Sequence, residues 1–397
     1  VIELVLGLLR LGGLARYVST AVMTGFITGA AILVLLGQLN HLTGIDAQAA
    51  SPLLELGDLL RRLNELHVET FIIGAVTIAI IVWLHRTRLA PFATLVSIVV
   101  TGVAIALLGW HDRGVALVLD MAPIPTTLPG VRLPEPRYAL DLAPGALALA
   151  VLALVQTAAL MQSIQRPEED PPNTSQEFIV QGAANVAGAL FRSMPAGGSL
   201  SRTAVNIKSG ARSRWANVFA GLFVALIMLA LGPLAERIAL AALAGHLIVA
   251  STALIDRHQM QFIWRASESG RWAMLATLVS TLIVPLEYAV YIGVALSLLL
   301  YIEESSHIRL TLLERGPDGR YRESAPPRRL PDAEPVILSL QGNLSFAAMR
   351  ELSPRLPDAS RSRRPVVIMR LRGNGMLAGT GIAVIMAYHR RLRARGG

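Results

Sequence analysis

One segment of the sequence combines helix breakers, hydroxyl groups and a cation within a few residues. It runs from Met194 to Asn206 and has the sequence MPAGGSLSRTAVN. Pro195 and the glycines that follow it interrupt the chain, and Ser199 or Ser201 can cap the next helix. The amides at such a helix start have no partner and carry partial positive charge, so they can bind an anion. We therefore predict a substrate-binding site for an anion at Gly198, Ser199, Leu200, Ser201 and Arg202.

Arg202 adds a full positive charge in the first turn of this helix. An arginine at bilayer depth is costly unless it faces water or a counter-ion, which makes Arg202 a functional candidate. The alternative is an ordinary cytoplasmic loop, in which Arg202 is solvated and Ser199 is only a cap. The residues alone leave both interpretations open.

Other polar residues interrupt apolar stretches of the chain. Gln156 and Thr157 lie among Ala, Leu and Val, where they can contact a substrate or hydrogen-bond a neighbouring helix. Both interpretations stay open, and Gln156 joins the candidate substrate-binding residues. His246 can relay protons, but a lone histidine in such a stretch is more often a packing or hydrogen-bonding residue. We interpret Asn185 in the same way.

Sequence motifs for ATP-driven transport and hydrolysis are absent. The sequence has no GxxxxGK(S/T) phosphate loop, no HExxH and no nucleophile elbow. It also has no cysteine, which excludes disulfides, thiolate zinc sites, iron–sulfur clusters and cysteine nucleophiles. We expect no enzymatic activity, no cofactor and no metal, so secondary transport or a channel-like role remains.

The composition is that of a membrane protein. Hydrophobic residues make up 53% of the 397-residue chain and charged residues only 16%, against about 25% charged in soluble domains. The mean hydropathy is +0.53. Apolar runs long enough to span a bilayer, or nearly so, occur at Thr20 to Leu42, Val68 to Leu84, Leu89 to Trp110, Leu142 to Met161, Trp215 to Leu234, Ile238 to Leu254 and Trp272 to Ile302. Pro285 breaks the last run into a predicted hairpin of two helices.

The net charge of +9 would suggest a nucleic-acid partner in a soluble protein. Here we expect none, because cytoplasmic loops of membrane proteins collect basic residues. An alternating topology places a set of basic residues on one inner side: Arg10, Arg16, Arg86, Arg88, Arg166, Lys208, Arg212, Arg214, Arg257, Arg265 and Arg271. We therefore expect a multi-pass protein of a cell membrane, such as a bacterial inner membrane.

Glycine and proline mark a discontinuity between Gln176 and Lys208, a segment that is only moderately apolar. It fits two short helices interrupted inside the membrane better than one span. Such broken backbone is tolerated only where protein or a water-filled cavity surrounds it, which favours a binding site there. The spacings Gly25 to Gly29 and Gly182 to Gly188 are typical of close helix packing.

A soluble region follows the apolar part of the chain. We divide the sequence into a transmembrane domain (1–305), a linker with a hairpin (306–333) and a small α/β domain (334–397). The last domain is predicted to contain a strand, a helix, a second strand and a second helix, at Val336 to Leu340, Phe346 to Leu356, Val366 to Leu371 and Thr380 to Arg395. Two strands make a poor sheet, so we expect this domain to be cut short.

Several motifs resemble those of the sulfate permease (SulP) family of anion transporters, which carry a C-terminal STAS domain. They are LGLLRLG at 6–12, MTGFITGAA at 23–31, QGAAN at 181–185, Pro195 with GSLSRTAVN at 198–206, and IGVALSLLL at 292–300. Together they cover nearly the whole chain in family order.

This resemblance implies an inverted-repeat transporter fold in which two half-helices meet at the bilayer midplane and bind the anion between their N-termini. The segment near Ser199 would start the second half-helix. The resemblance also implies a homodimer with a cytoplasmic STAS domain. Substrates of such transporters include sulfate, bicarbonate, chloride and dicarboxylates.

The sequence departs from the family pattern at three points. We expect the first helices, with the opposing half-helix, to be absent from this chain. Many prokaryotic relatives have a carboxylate near the position of Gln156, which cannot ionise, so proton coupling through this position is in doubt. Gly379 replaces the hydroxyl residue that is phosphorylated in related signalling domains, so we expect no phosphoregulation there.

These observations lead to a functional hypothesis and an alternative to it. The hypothesis is secondary active transport of small anions by alternating access, with the anion bound at a half-helix N-terminus. The alternative is a non-transporting membrane scaffold or degenerate fragment whose STAS domain binds partners. Upstream DNA that encodes further helices in frame would favour the transporter.

Overall fold

The computed structural model describes residues 1–47, 51–125, 127–164, 173–306, 308–316, 320–341, 346–360, 362–371 and 379–397. The chain divides into two compact units, Val1–Ser297 (unit 1) and Leu298–Gly397 (unit 2). The described part of unit 1 is helical apart from its connecting segments.

Most helices of unit 1 are apolar around their whole circumference, which is the pattern of helices in lipid. The helices up to the middle of the chain are α1 (Ile2–Leu8), α2 (Thr20–Gly37), α3 (Leu39–Thr43), α4 (Pro52–Arg61), α5 (Val68–Leu84), α6 (Ala93–Leu108), α7 (Val118–Met121) and α8 (Ala139–Ile164). Those that follow are α9 (Thr174–Leu190), α10 (Leu200–Lys208), α11 (Trp215–Ala235), α12 (Leu240–Leu254), α13 (Arg257–Ala266), α14 (Glu268–Ile283) and α15 (Leu286–Ser306), the last of which continues into unit 2.

The helices confirm a polytopic membrane protein. Within the described residues, six helical stretches are long and apolar enough to cross a membrane, and α5 is a shorter apolar helix. Every predicted apolar run coincides with a helix, and Pro285 lies between α14 and α15 as predicted. Large apolar side chains remain exposed along α11, among them Phe219, Leu222 and Phe223, and lipid is the solvent that tolerates such a surface.

Glycines allow the helices of unit 1 to approach one another closely. A Cβ atom built on Gly25 of α2 would overlap the carbonyl oxygen of Met274 on α14, and one built on Gly29 would lie 2.7 Å from Thr281 Cβ. Gly182 of α9 meets the backbone of Leu4 on α1 in the same way. These contacts confirm the predicted packing role of these glycines. Gly188 differs, because it faces Ser193 in the segment that follows its own helix.

Unit 2 contains a four-stranded sheet with the strand order β2, β1, β3, β4. Its strands and helices are β1 (Arg309–Arg315), β2 (Tyr321–Ser324), β3 (Pro335–Gln341), α16 (Phe346–Arg355), β4 (Val366–Arg370) and α17 (Gly379–Arg393). Strand β1 is antiparallel to β2 and β3, whereas β3 and β4 are parallel. Leu338, Leu340, Met349 and Leu352 form the centre of the core and are fully buried.

The pairing of β1 with β3 corrects the sequence analysis on one point. The hairpin was predicted to belong to a linker, but its first strand contributes Leu310 to the same core as β3. The sheet therefore has four strands in place of the two that the sequence predicts. The predicted turn residues Pro317, Asp318 and Gly319 lie outside the described residues.

Gly25→Ala tests the close contact between α2 and α14. The added methyl group meets backbone that cannot rotate away, so we expect a destabilisation of about 1–3 kcal/mol. Gly102→Ala on α6 is the matched control, because no atom lies within 4 Å of its Cβ position. This control should be neutral or stabilising by up to about 1 kcal/mol, since glycine is unfavourable inside helices. Melting temperatures of the detergent-solubilised variants measure both effects, and equal values for the two would contradict the packing assignment.

Candidate functional site

The predicted interruption lies between α9 and α10. Helix α9 ends at Leu190, and the chain then turns through Arg192, whose φ is 57°. The end of α9 is satisfied by its surroundings. Ser193 N–H donates to the Gly188 carbonyl at 3.0 Å, and Arg132 N–H donates to the Leu190 carbonyl at 2.8 Å. The break therefore leaves the C-terminal carbonyl groups of α9 with partners.

Ser199 caps the second helix of the interrupted pair, as the sequence predicts. It is extended (φ −116°, ψ 113°), and its Oγ accepts a hydrogen bond from Arg202 N–H at 3.4 Å. The amides of Leu200 and Ser201 belong to the first turn and lie outside the hydrogen-bond ladder of the helix. Their side chains are outside the described part of the structure. The positive end of the α10 dipole is thus directed at the segment before it.

Asn185 holds the interrupting segment in place. Its Nδ2 donates to the Ala196 carbonyl at 3.1 Å, and its Oδ1 accepts from Ala196 N–H at 2.9 Å. Gln181 Nε2 also donates to the Ala196 carbonyl. Both side chains extend from α9, one helical turn apart, so they contact the same peptide unit. The hydrogen-bonding role considered for Asn185 is therefore the one found.

Glu3 on α1 forms a hydrogen bond with the side chain of Asn185. Its carboxylate accepts a hydrogen bond from Asn185 Nδ2 at 2.8 Å, although Glu3 itself is only 9% exposed. The Glu3 oxygen accepts this hydrogen bond, so Asn185 directs Nδ2 toward Glu3 and the Ala196 carbonyl, which leaves Oδ1 to accept from Ala196 N–H. Glu3 was not predicted from the sequence as part of this site, although it is an acidic residue within an otherwise apolar helix.

The glycine pair brings the interrupting segment against α8. A Cβ atom on Gly197 would lie 2.9 Å from Gln156 Oε1, and one on Gly198 would lie 2.9 Å from Leu160 Cδ2. A larger residue at either position would require the end of the Gln156 or Leu160 side chain to move. The structure therefore places Gln156 beside Gly197 and Gly198. Next to it on α8, Thr157 is 6% exposed, and its Oγ1 has no hydrogen-bond partner among the described atoms.

Arg202 is exposed in the first turn of α10. Within the described residues, no carboxylate lies at ion-pair distance from its guanidinium. Arg202 therefore lies in the first turn of the capped helix, four residues after Gly198, and Gln156 lies beside the glycine pair. His246 lies apart from this group, where its Nδ1 is 3.2 Å from Thr94 Oγ1. That contact agrees with a hydrogen-bonding role between α6 and α12.

Apolar helices of membrane-spanning length together with an interrupted helix pair define a class of protein. It is the polytopic α-helical membrane protein with broken helices, the arrangement in which transporters hold their substrates. The model of the Sulfate permease family matches residues 1–277. The chain therefore belongs to the sulfate permease family, whose members are transporters and not enzymes.

Relatives in plants and bacteria match most of the chain. Sulfate transporter 4.1, chloroplastic, of Arabidopsis thaliana is 27% identical over 374 residues, which cover 90% of this chain and 53% of the relative. Putative sulfate transporter YvdB of Bacillus subtilis is 26% identical over 373 residues, covering 91% of this chain and 68% of the relative. The chain spans about half the length of the Arabidopsis sulfate transporters 4.1 and 4.2.

Solved structures support the fold. The murine Solute Carrier 26 family member A9 anion transporter in the inward-facing state superposes with a TM-score of 0.83 at 19% identity, over 100% of this chain and 66% of the other. The transmembrane domain of the cyanobacterium bicarbonate transporter BicA gives a TM-score of 0.59 at 23% identity, over 74% and 73% of the two chains. The small sheet of unit 2 is consistent with a partial STAS domain.

Asn185→Ala tests how the interrupting segment is held. The substitution removes both hydrogen bonds to Ala196, each worth about 1 kcal/mol, so amide exchange there should accelerate roughly tenfold or more. Hydrogen exchange followed by mass spectrometry on peptides that cover residues 193–199 measures this. Asn206→Ala is the matched control, because Asn206 Nδ2 donates to Asn217 Oδ1 and not to the segment. Unaltered exchange in Asn185→Ala would show that the segment is held by other contacts.

Proposed function

We propose that the protein is a secondary transporter of small inorganic or organic anions that binds its substrate at the N-terminus of α10. The observation that carries the proposal is the capped start of α10, which has Arg202 in its first turn and follows directly after the glycine pair that lies beside Gln156. The names of the relatives, which are sulfate transporters, support an anion as the substrate.

The proposed residues contribute different interactions. The N-terminus of a helix favours a nearby anion by about 0.3–1 kcal/mol at exposed sites. A hydrogen bond from Arg202 to a charged oxygen adds about 1.5–3 kcal/mol. Together these contributions are about 2–4 kcal/mol, which corresponds to binding in the millimolar range, because 1 mM equals about 4 kcal/mol. Moderate affinity suits a carrier, since the anion must leave on the other side of the membrane.

Gln156 would give the anion a neutral polar contact from α8. Its amide can donate to an anion but cannot take up a proton. Transport is therefore not coupled to protons through this position. Alternating access would carry the anion past the start of α10 without covalent chemistry, and sulfate, bicarbonate, chloride or a dicarboxylate would each meet the same donors.

The proposal includes a location and an assembly. Basic residues such as Arg212, Arg214 and Arg257 follow the membrane helices on one predicted side, which supports a cytoplasmic position for that side and for the STAS domain. A bacterial inner membrane is the membrane that we propose. The assembly expected from the resemblance is a homodimer, with a small anion and the lipid bilayer as the other partners.

Arg202→Ala tests the assigned cation. Loss of its charged hydrogen bond should raise the half-saturating anion concentration about 10- to 100-fold. Uptake of radiolabelled sulfate and bicarbonate into proteoliposomes measures this, together with equilibrium binding of sulfate to the purified protein. Arg212→Ala removes one exposed arginine beyond the end of α10 and should behave as the unaltered protein. Unchanged uptake by Arg202→Ala would refute the role of this residue, and absence of both uptake and binding in the unaltered chain would favour the scaffold alternative.

Gln156→Glu tests the neutral contact. A carboxylate that faces a water-filled anion site is ionised at neutral pH, so the new side chain repels the anion. Uptake should be low at neutral pH and should rise as the pH falls, because protonation removes the charge. Gln156→Leu, which cannot ionise, should weaken uptake without adding this pH dependence. If the two variants show the same pH profile, Gln156 does not lie beside the bound anion.

A further inference from the structure

Unit 2 contains a groove that has no part in the proposed transport site. It lies between the start of β1, the proline-rich segment before β3 and the end of α16, and its volume is about 720 Å³. Sites for small organic molecules have volumes of about 300–1,000 Å³. A lone inorganic anion would fill only a small part of this groove.

The described residues that line the groove include three arginines, Arg309, Arg328 and Arg355. No aspartate or glutamate is among these described lining residues. Arg355 Nη1 donates to the Ile308 carbonyl at 2.9 Å, which fixes this guanidinium at the edge of β1. A bound anion can form charge-assisted hydrogen bonds with guanidinium groups placed in this way.

Two described carboxylates close to the groove lining, Glu323 and Asp358, have hydrogen-bond donors of their own. Glu323 accepts from Gln341 Nε2 at 2.8 Å. Asp358 accepts from Ser360 N–H at 2.9 Å and from Ser360 Oγ at 2.6 Å. These hydrogen bonds therefore offset part of the negative charge of the two carboxylates.

Part of the groove wall is apolar. Pro326, Pro327, Leu310 and Leu356 contribute to it beside the arginines. The fitting ligand therefore combines an anionic group with an uncharged body. Guanidinium groups form paired hydrogen bonds with phosphate oxygens, which makes phosphate the anionic group that suits several arginines.

The groove also lies close, along the chain, to the end of a membrane helix. Helix α15 ends at Ser306, and its apolar span extends to Glu303. Arg309 follows three residues after Ser306, and an extended chain covers at most about 3.6 Å per residue. The end of α15 and β1 belong to the same compact unit. Arg309 is thus within reach of the headgroup layer, where anionic lipids attract basic residues.

We propose that this groove binds the phosphate group of an organophosphate anion through Arg309, Arg328 and Arg355. Membrane phospholipids and soluble phosphate esters offer the same chemistry, and the experiment distinguishes these two sources. The site is separate from α10, so the proposal does not depend on anion transport.

The test uses the full chain in a neutral detergent and native mass spectrometry. The probes are dioctanoyl phosphatidylglycerol, dioctanoyl phosphatidylcholine and glycerol 3-phosphate. We expect phosphatidylglycerol to bind at least about tenfold more tightly than phosphatidylcholine, because the anionic headgroup keeps its net charge. Tighter binding of phosphatidylglycerol than of glycerol 3-phosphate assigns the lipid as the source. Equal binding of these two assigns a soluble ester. Equal binding of the two lipids with no binding of glycerol 3-phosphate would overturn the proposal.

Variants locate the binding in the groove. The triple variant R309Q/R328Q/R355Q should lose at least about tenfold in affinity for the bound phosphate compound. The control R370Q/R390Q/R393Q makes the same charge change at exposed positions of unit 2 that do not line the groove, and it should bind normally. Equal losses in both triple variants, or no loss in the first, would contradict the site. Arg328→Gln alone changes one exposed side chain and should still weaken binding if the triple variant fails to fold. Arg202→Ala should leave this binding unchanged.

Discussion

The bilayer imposes the constraint on which the rest of the structure depends, because it offers no water to hydrogen-bond the backbone. An interrupted helix at this depth exposes carbonyl groups at one end and amides at the other. In this protein the carbonyls of Gly188 and Leu190 accept from Ser193 N–H and Arg132 N–H, and Asn185 hydrogen-bonds both the N–H and the carbonyl of Ala196. In the proposed function, the amides at the start of α10 are the groups that bind the anion.

Helix packing supplies the support for this arrangement. Apolar side chains gain nothing from association in lipid, so membrane helices depend on close contact and hydrogen bonds between them. Gly182 lets α9 approach the backbone of α1 at Leu4, which brings the neighbouring Glu3 to Asn185. The contact between two helices therefore determines the orientation of one amide, and that amide fixes the segment before α10. Small residues such as Gly182 therefore influence both the helix packing and the position of the segment before α10.

Local features of the structure could be predicted from the sequence, and long-range ones could not. The spans follow from runs of apolar residues, and the Ser199 cap follows from a serine placed after a glycine pair. The hydrogen bond between Glu3 and Asn185 joins residues 182 positions apart, and no local pattern indicates which distant helix lies beside α9. The pairing of β1 with β3 was not predicted for a related reason. The sequence of a hairpin predicts its turn, but it does not indicate which strand pairs with the outer edge of the hairpin.

Gln156 illustrates how far the sequence could lead toward the site. Its residue type predicted a neutral polar contact, and its approach to Gly197 became visible only when α8 and the interrupting segment were placed together. In the proposed mechanism this neutrality matters, because a carboxylate at that place would compete with the anion for Arg202. The site would select a ligand by charge and size through Arg202, the N-terminus of α10 and the Gln156 amide. None of these groups takes up or releases a proton during transport. Arg202 is exposed, so salt screens part of its attraction for the anion. An anion held mainly by this charge is therefore bound weakly enough to dissociate.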